Sequence, residues 1–551
     1  MTNTKTIARN TGWYGIETII DAVVGLGTSI AINRYLGPEK NGYIVYISQI
    51  AVMVSSLGGL GIPATTRKYM AEFIGMGDKG TARYIYLRTL VLQIVLATLV
   101  TSGFLFWVLR DASADYRLAS ALLVLSMWPS MVNSISAQAN VATEDLSKNL
   151  LASVASDVTY LIAIIFTLVF HWGVTGVGAA LLCRRTIDFL VRFVPTIIRA
   201  LAWETTHALP PELRRRMMVF ARQSVASLAV AMIVWGRSEV ILLKNLCADI
   251  RQVSFYSVAF TMAEQLLLTA TIFGAAAGAT IFAQYGRDKS KLPGMAASTF
   301  RYIALMSIPL HFIAASLAVP ALLLVYGRKF EDAAMVVALA PLLCIFKAFL
   351  APAQSLLESM ERQRSVIAVT ILAGIIDIGV AWYFIPTLGA VGACIGNGAA
   401  QATAVVMMWA IGMYLYKVKL PWLQVAKIVF ISALASLAAH SIAMRMAPLW
   451  AILCGGSASM VVLFGLFYFM RVLEPEDHDR LKILTGMLPR PIAGPVGGFF
   501  LLLIRAESGC VGTAANYVTA EEHAPLGCRE SVPEELLDAD PAICVAHEEE
   551  Q

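Results

Sequence analysis

Stretches of about twenty mostly apolar residues recur along nearly the whole chain, and about twenty residues is the length a helix needs to cross the hydrocarbon core of a bilayer. Read with that window, the sequence predicts spans at 13–36, 43–64, 84–109, 117–141, 150–171, 173–198, 217–243, 253–283, 300–326, 332–357, 364–386, 389–415, 422–444 and 448–471. Inside hydrocarbon, backbone polar groups must be bonded within their own segment, and no period-two barrel pattern appears, so the spanning element is the α-helix. Composition agrees. The chain is 58% hydrophobic and 14% charged, with a mean hydropathy of +0.70, whereas soluble domains carry about 25% charged residues. The predicted fold class is all-α, a polytopic membrane protein of about fourteen transmembrane helices.

Lysine and arginine collect in alternate connections, which sets the orientation. Arg67, Lys68, Lys79, Arg83 and Arg88 lie between the second and third spans, Arg214, Arg215 and Arg216 between the sixth and seventh, Arg287, Lys289 and Lys291 between the eighth and ninth. FHWGVTG at 170–176 and IPTLGA at 385–390 carry neither. The basic loops and both termini are therefore expected in the cytoplasm. No cleavable signal peptide is expected, because the first apolar stretch is too long and lacks a small-residue cleavage pattern. A net charge of +5 gives no reason to expect nucleic acid, and eight scattered cysteines show neither a disulfide framework nor a zinc spacing. Phosphate-binding glycine loop, HExxH and CxxC patterns are all missing, so the reading is a non-enzyme without cofactor or metal.

Two pairs of segments repeat at a common offset of 216 residues: AQANVATEDLSKNLL at 137–151 with AQSLLESMERQRSVI at 353–367, and GVTGVGAAL at 173–181 with GAVGACIGN at 389–397. Six spans per copy is an even number, so both copies share one orientation, a parallel repeat that places a site between the halves. The expected organisation is an N-terminal lobe over 1–202, a cytoplasmic linker over 203–216 and a C-terminal lobe over 217–418. Two further helices over 419–475 and an acidic, disordered cytoplasmic tail over 476–551 follow.

The sixth span reads LLCRRTIDFLVRF at 181–193 and places Arg184, Arg185, Asp188 and Arg192 inside the membrane. Arg184 lies roughly 15 Å along its helix at 1.5 Å per residue, about half the hydrocarbon depth. Arg184, Asp188 and Arg192 share a face by i, i+4 spacing, with Arg185 adjoining. A charge at that depth is tolerated only facing protein or water. One reading has Asp188 neutralising an arginine and Arg192 snorkelling to the interface, the set merely locking helices. The other has Arg184 and Arg185 lining a cavity that holds an anion, favoured by the excess of cations. Further intramembrane charges are Glu17, Asp21, Arg237, Glu239, Glu264, Lys347 and Asp377. Arginine and lysine suit phosphate, while the carboxylates suit protons or sodium.

RYLGPEKNGYI at 34–44, SLGGLGIPATTRKYMAEF at 56–73, KNLCADIRQVSFYSVAFTMAEQ at 244–265 and LGAVGACIGNG at 388–398 resemble motifs of polysaccharide-export flippases. That is the polysaccharide transporter branch of the multidrug/oligosaccharidyl-lipid/polysaccharide exporter superfamily, which includes O-antigen flippases. The resemblance covers about 1–475. It implies two six-helix lobes plus two helices in the bacterial cytoplasmic (inner) membrane. It also implies ion-coupled flipping of an undecaprenyl-pyrophosphate-linked oligosaccharide, beside a polysaccharide polymerase and glycosyltransferases. On this reading Arg184, Arg185, Arg237 and Lys347 hold the pyrophosphate, and Asp188, Glu239, Glu264, Glu17 and Asp21 poise them or couple ions. Arg67 and Lys68, at the cytoplasmic mouth, attract the headgroup or act only in topology. The sequence departs from the family where an aspartate is frequent late in the seventh span; here Arg237-Ser238-Glu239 stands. A cation-coupled multidrug exporter of the same superfamily and a non-transporting scaffold of a polysaccharide-synthesis complex are the alternatives.

Overall fold

Each predicted span corresponds to helix in the computed structural model, which describes residues 4–111, 113–204, 209–360, 362–473 and 477. In chain order these are α1 (Thr4–Gly58), α2 (Ile62–Gly75), α3 (Lys79–Asp111), α4 (Arg117–Leu125), α5 (Met127–Ala142), α6 (Leu146–Val169), α7 (Gly173–Leu201), α8 (Pro211–Trp235) and α9 (Glu239–Leu246). Then come α10 (Arg251–Leu266), α11 (Leu268–Arg287), α12 (Leu292–Val325), α13 (Ala334–Cys344), α14 (Leu350–Ser359), α15 (Gln363–Leu388), α16 (Ala390–Tyr416), α17 (Trp422–Ala443) and α18 (Pro448–Phe469). No strand occurs among the described residues. The expected tail, 476–551, lies outside them apart from Asp477.

Eleven helical segments among the described residues are long and apolar enough to cross a membrane, and the chain is a multi-pass membrane protein. The other three expected spans differ for physical reasons. Spans 13–36 and 43–64 fall on the two arms of α1, which are two helices separated by a non-helical kink at Gly37 (φ 75°), a conformation open to glycine, followed by Pro38, so that the pair forms one uninterrupted segment without a loop. α7 falls out because of its own charges, and span 253–283 is divided into α10 and α11 at Leu267.

The apolar core forms three clusters. One joins Ile32, Ile44, Leu123, Tyr160 and Val177, a second joins Tyr69, Tyr86, Val132 and Ile135, and both belong to the first half. The third gathers residues from Val234 to Val472. The polar linker expected over 203–216 is helical from Pro211, since proline suits a first helical turn, where its missing N–H costs nothing. α8 belongs to both cores: Leu213, Met217 and Phe220 pack with the first half, Val234 and Trp235 with the second.

The RYLGPEKNGY motif meets the second half at three residues. Arg34 donates from Nε to the Val325 carbonyl (2.6 Å) and from Nη2 to the Leu324 carbonyl (2.5 Å), at the C-terminus of α12. Asn41 donates from Nδ2 to Ser254 Oγ at 2.8 Å. Gly42 lies so close to α10's approach that a Cβ there would overlap the Ile250 carbonyl oxygen. About two turns further, Gln49 donates from Nε2 to the Gly236 carbonyl.

Candidate functional site

The two arms of α1 run from the Gly37 bend, and together with α4, α5, α6, α7 and α10 they line a cavity of about 330 Å3. Its wall is rich in hydroxyls and amides, among them Thr28, Ser29, Asn33, Ser126, Ser130 and Ser257. Arg184 and Arg185 both line it, and among the described residues no carboxylate does. Helix geometry explains the depth: Arg184 lies eleven residues into α7 from Gly173, roughly 16 Å along the axis.

The two arginines are held differently. Arg184 donates from Nη2 to Asp157 Oδ1 at 2.5 Å, lies 3.8 Å from Asp21 Oδ1, and covers the Tyr160 ring at 5.1 Å. Asp157 is only 1% exposed, and its second oxygen has no hydrogen-bond partner among the described residues. Arg185 makes no ion pair or side-chain hydrogen bond among the described residues, although it faces the same cavity. It is the uncommitted cation of the site.

Asp188 does not neutralise either of these. It accepts from Arg192 Nη2 (2.7 Å) and Asn133 Nδ2 (2.7 Å). Arg192 is buried and also donates to Ser153 Oγ at 3.2 Å, so the expectation that it snorkels to the interface is corrected. The Asp188 carboxylate, the Ser153 hydroxyl and the Asn149 carbonyl accept from its Nη2 inside the protein, which pairs the charge there although its Nε is buried without a partner among the described residues. Glu17 accepts from Ser153 Oγ at 2.6 Å, and so joins the same chain of polar groups on α1, α6 and α7.

Arg237 and Lys347 do not line this cavity, which corrects the expectation of four cations around one anion. They share Glu264: Arg237 Nη2 at 2.7 Å and Lys347 Nζ at 3.3 Å, both over the Phe260 ring, at 4.4 Å and 5.5 Å. Two cations thus share one carboxylate and one ring face, and the cluster keeps a net positive charge. Glu239 is fully buried; it accepts from Tyr256 Oη (2.9 Å) and Asn397 Nδ2 (2.6 Å) and neighbours Asp377. Both Asp377 oxygens are buried without a hydrogen-bond partner among the described residues. The second half thus holds two carboxyl centres, Glu264 beside two cations and Glu239 beside another acid.

Sequence reasoning missed Asp157, although a lone acid in SVASDVTYLIAIIF at 153–166 was signal enough, since ionisable residues within a span are functional candidates by default. Asn133 and Tyr160 carried no such signal, because neutral polar and aromatic residues are common within spans.

With that geometry in hand, a family profile described as polysaccharide biosynthesis protein matches residues 7–282. The chain belongs to the polysaccharide biosynthesis protein family. The match takes in α1 to α10 and most of α11, and so every side chain of the cavity. No curated protein matches this family member in sequence. Among solved structures it resembles an inward-facing multidrug resistance MATE family transporter of the MOP superfamily, at 18% identity over 72% of this chain and 94% of that one, TM-score 0.61. It also resembles the lipid II flippase MurJ in an inward closed conformation, at 13% identity over 83% and 98%, TM-score 0.63. An outward-facing MATE transporter gives a TM-score of 0.53 at 18% identity over 75% and 96%. At these identities the likeness is one of fold, and it places this polysaccharide biosynthesis protein on the MATE and MurJ architecture.

Proposed function

We propose that this polysaccharide biosynthesis protein is a flippase that carries a lipid-linked oligosaccharide, attached to undecaprenyl pyrophosphate, across the bacterial cytoplasmic membrane. The observation that carries this reading is a cationic pair, Arg184 and Arg185, on a hydroxyl-rich cavity within a membrane-spanning body, with Arg185 uncommitted. The diphosphate binds Arg185 directly and competes with Asp157 for the Arg184 guanidinium, while cavity hydroxyls and amides bond the sugar. Fourteen spans in two six-helix lobes plus two helices, with both termini cytoplasmic, give it alternating access. The lobes rock about the cavity, driven by an ion gradient taken up at Asp21, Glu239 or Glu264. A polymerase and glycosyltransferases act on either side of this step. A drug exporter for cationic compounds needs carboxylates on its cavity wall, and this wall carries two arginines and no acid.

The test is reconstitution of the purified protein in vesicles with a fluorescent polyprenyl-pyrophosphate saccharide in the inner leaflet. Flipping is expected in the wild type and to fall at least tenfold in Arg185→Ala and Arg184→Ala. Arg287→Gln, exposed in the last turn of α11 and outside the cavity, is expected to retain most of it. Undiminished flipping in both cavity variants would remove the arginines from the mechanism, and export of a cationic dye in place of the lipid would overturn the substrate class.

A further inference from the structure

Arg237, Lys347 and Glu264 form a charged cluster outside the transport cavity, and each of the three sits at or beside a break in a helix. Arg237 holds a left-handed backbone (φ 58°) between α8 and α9, Glu264 lies one turn before α10 gives way to α11, and Lys347 is inside a 3-10 turn (Ile345–Phe349) between α13 and α14. Interrupted helices that converge on charges within a membrane are how transporters build binding sites. A non-glycine residue held left-handed is strain that its surroundings must impose. The charges do not cancel. Glu264 gives one oxygen to each cation, at 2.7 Å from Arg237 Nη2 and 3.3 Å from Lys347 Nζ. Apart from a long contact of Arg237 Nη2 to Thr261 Oγ1 (3.4 Å), the two cations have no other hydrogen bond among the described residues, so Arg237 Nε and Nη1 and two Lys347 ammonium hydrogens stay open. The side chains of Arg237 (24% exposed) and Lys347 (23%) are accessible to a ligand.

The cluster continues the cavity wall. Ser254, Ser257, Thr261 and Glu264 follow at three- and four-residue spacing and share one face of α10. Ser254 bonds Asn41, Ser257 lines the cavity, and Thr261 and Glu264 meet Arg237. Glu264 lies two turns past Ser257, about 10 Å along the axis. On α1, Ser48 lines the cavity while its neighbour Gln49 bonds the Gly236 carbonyl, beside Arg237. From Arg251 at the start of α10, Glu264 is roughly 20 Å along the axis, too deep for a phospholipid headgroup in a hydrocarbon core about 30 Å thick. We propose that Arg237 and Lys347 form a second anion subsite, which takes a carboxylate on the saccharide of the lipid-linked substrate while Arg184 and Arg185 hold the diphosphate. The proposal rests on the flippase reading and narrows its substrate class to acidic saccharides. The hydroxyls on the face of α10 bond the sugar between the two charged points. A carboxylate tethered to a diphosphate already in the cavity arrives at a high effective concentration, which a free anion lacks.

Thermal unfolding of the full chain in neutral detergent tests this with two polyprenyl-pyrophosphate disaccharides, alike except that one ends in glucose and the other in glucuronate. A ligand that binds the folded state raises the unfolding temperature, and the glucuronate lipid is expected to raise it at least twice as far as the glucose lipid. Lys347→Gln is expected to bring the two rises together, Lys347→Arg to keep them apart, and Arg185→Ala to lower both. Free glucuronate and inorganic phosphate at the same concentration are expected to leave the temperature unchanged. Equal rises in the unaltered chain overturn the proposal and leave the flippase reading standing, and this comparison needs no variant to fold. No rise with either lipid overturns both readings. A difference that survives in Lys347→Gln, or a rise with free phosphate or glucuronate as large as the excess of the acidic lipid, also overturns the proposal, the latter by assigning the cluster to a soluble anion.

Discussion

Two neighbouring arginines on α7 carry different tasks because of one carboxylate. Asp157 fixes Arg184, while Arg185 has no such partner. Removing one member of a buried ion pair leaves the other charge uncompensated, at about 3 kcal/mol. Asp157→Ala is therefore expected to destabilise the protein by about that amount, and Asp157→Ala/Arg184→Ala by clearly less, as read by thermal unfolding in detergent. Asp157→Asn keeps an oxygen for the guanidinium without its charge, and is expected to fall between wild type and alanine. A double variant as unstable as Asp157→Ala would show that the pair contributes nothing as a pair. The charges of α7 were readable because they interrupt an apolar run; that Asp188 takes Arg192 and Asp157 takes Arg184 was not. i, i+4 spacing allowed Asp188 either arginine, and the choice depends on which face α5 and α6 supply with Asn133 and Asp157.

Helices here are shaped by residues at their ends and bends. The turn between α5 and α6 runs through Glu144 in a left-handed conformation (φ 56°) to Asp145. Partial burial works against ionisation of Asp145, yet hydrogen bonds from Lys148 and Ser147 and the charge of Arg199 outweigh it and hold the carboxyl below its ordinary value. A carboxyl lowered on folding stabilises the native state above its unfolded pKa, about 3.9. That contribution is lost as pH falls through the lower folded value. Asp145→Asn is expected to cost about 1 kcal/mol at pH 7 and to narrow the gap to wild type below about pH 4, measured as unfolding temperature against pH. A gap independent of pH would mean that packing, not charge, holds the turn. At the bend of α1, Gly42 allows α10 to approach closely. Gly42→Leu is expected to push α1 from α10 and cost about 1–3 kcal/mol by overpacking. A variant with wild-type unfolding temperature would show that the approach is not needed. Sequence periodicity located both arms of α1, but the start of α8 at Pro211 inside an expected linker depended on neighbours that bury Leu213 and partly cover Phe220.

Across the whole molecule, the two halves meet at one end through Arg34, Asn41 and Gly42, and at the other through Lys68, Tyr69, Phe220 and Arg216. The first set consists of short hydrogen bonds, two of them from a guanidinium to the carbonyl end of α12, where the helix dipole adds attraction. The second adds cation–π contacts and one exposed ion pair, each about 1 kcal/mol or less, to the apolar packing of Leu213, Met217 and Phe220. Arg34→Ala is therefore expected to loosen the end away from the basic loops. With a cysteine at Ser257 on the cavity wall, in a background lacking other reactive cysteines, labelling by a membrane-impermeant maleimide from that side should rise severalfold. Unchanged labelling would mean that Arg34 does not hold that end shut. The sequence by itself determined that the chain is a helical membrane protein, where its helices run and that charges lie at mid-depth, because apolar length and charge cost are local properties of a segment. Only the tertiary structure decided which charges meet. It separated Arg237 and Lys347 from the cavity, bonded Glu239 to Tyr256 and Asn397 beside Asp377, and left Arg185 without an ion pair among the described residues, because those outcomes depend on which helices become neighbours and on the face each one turns inward.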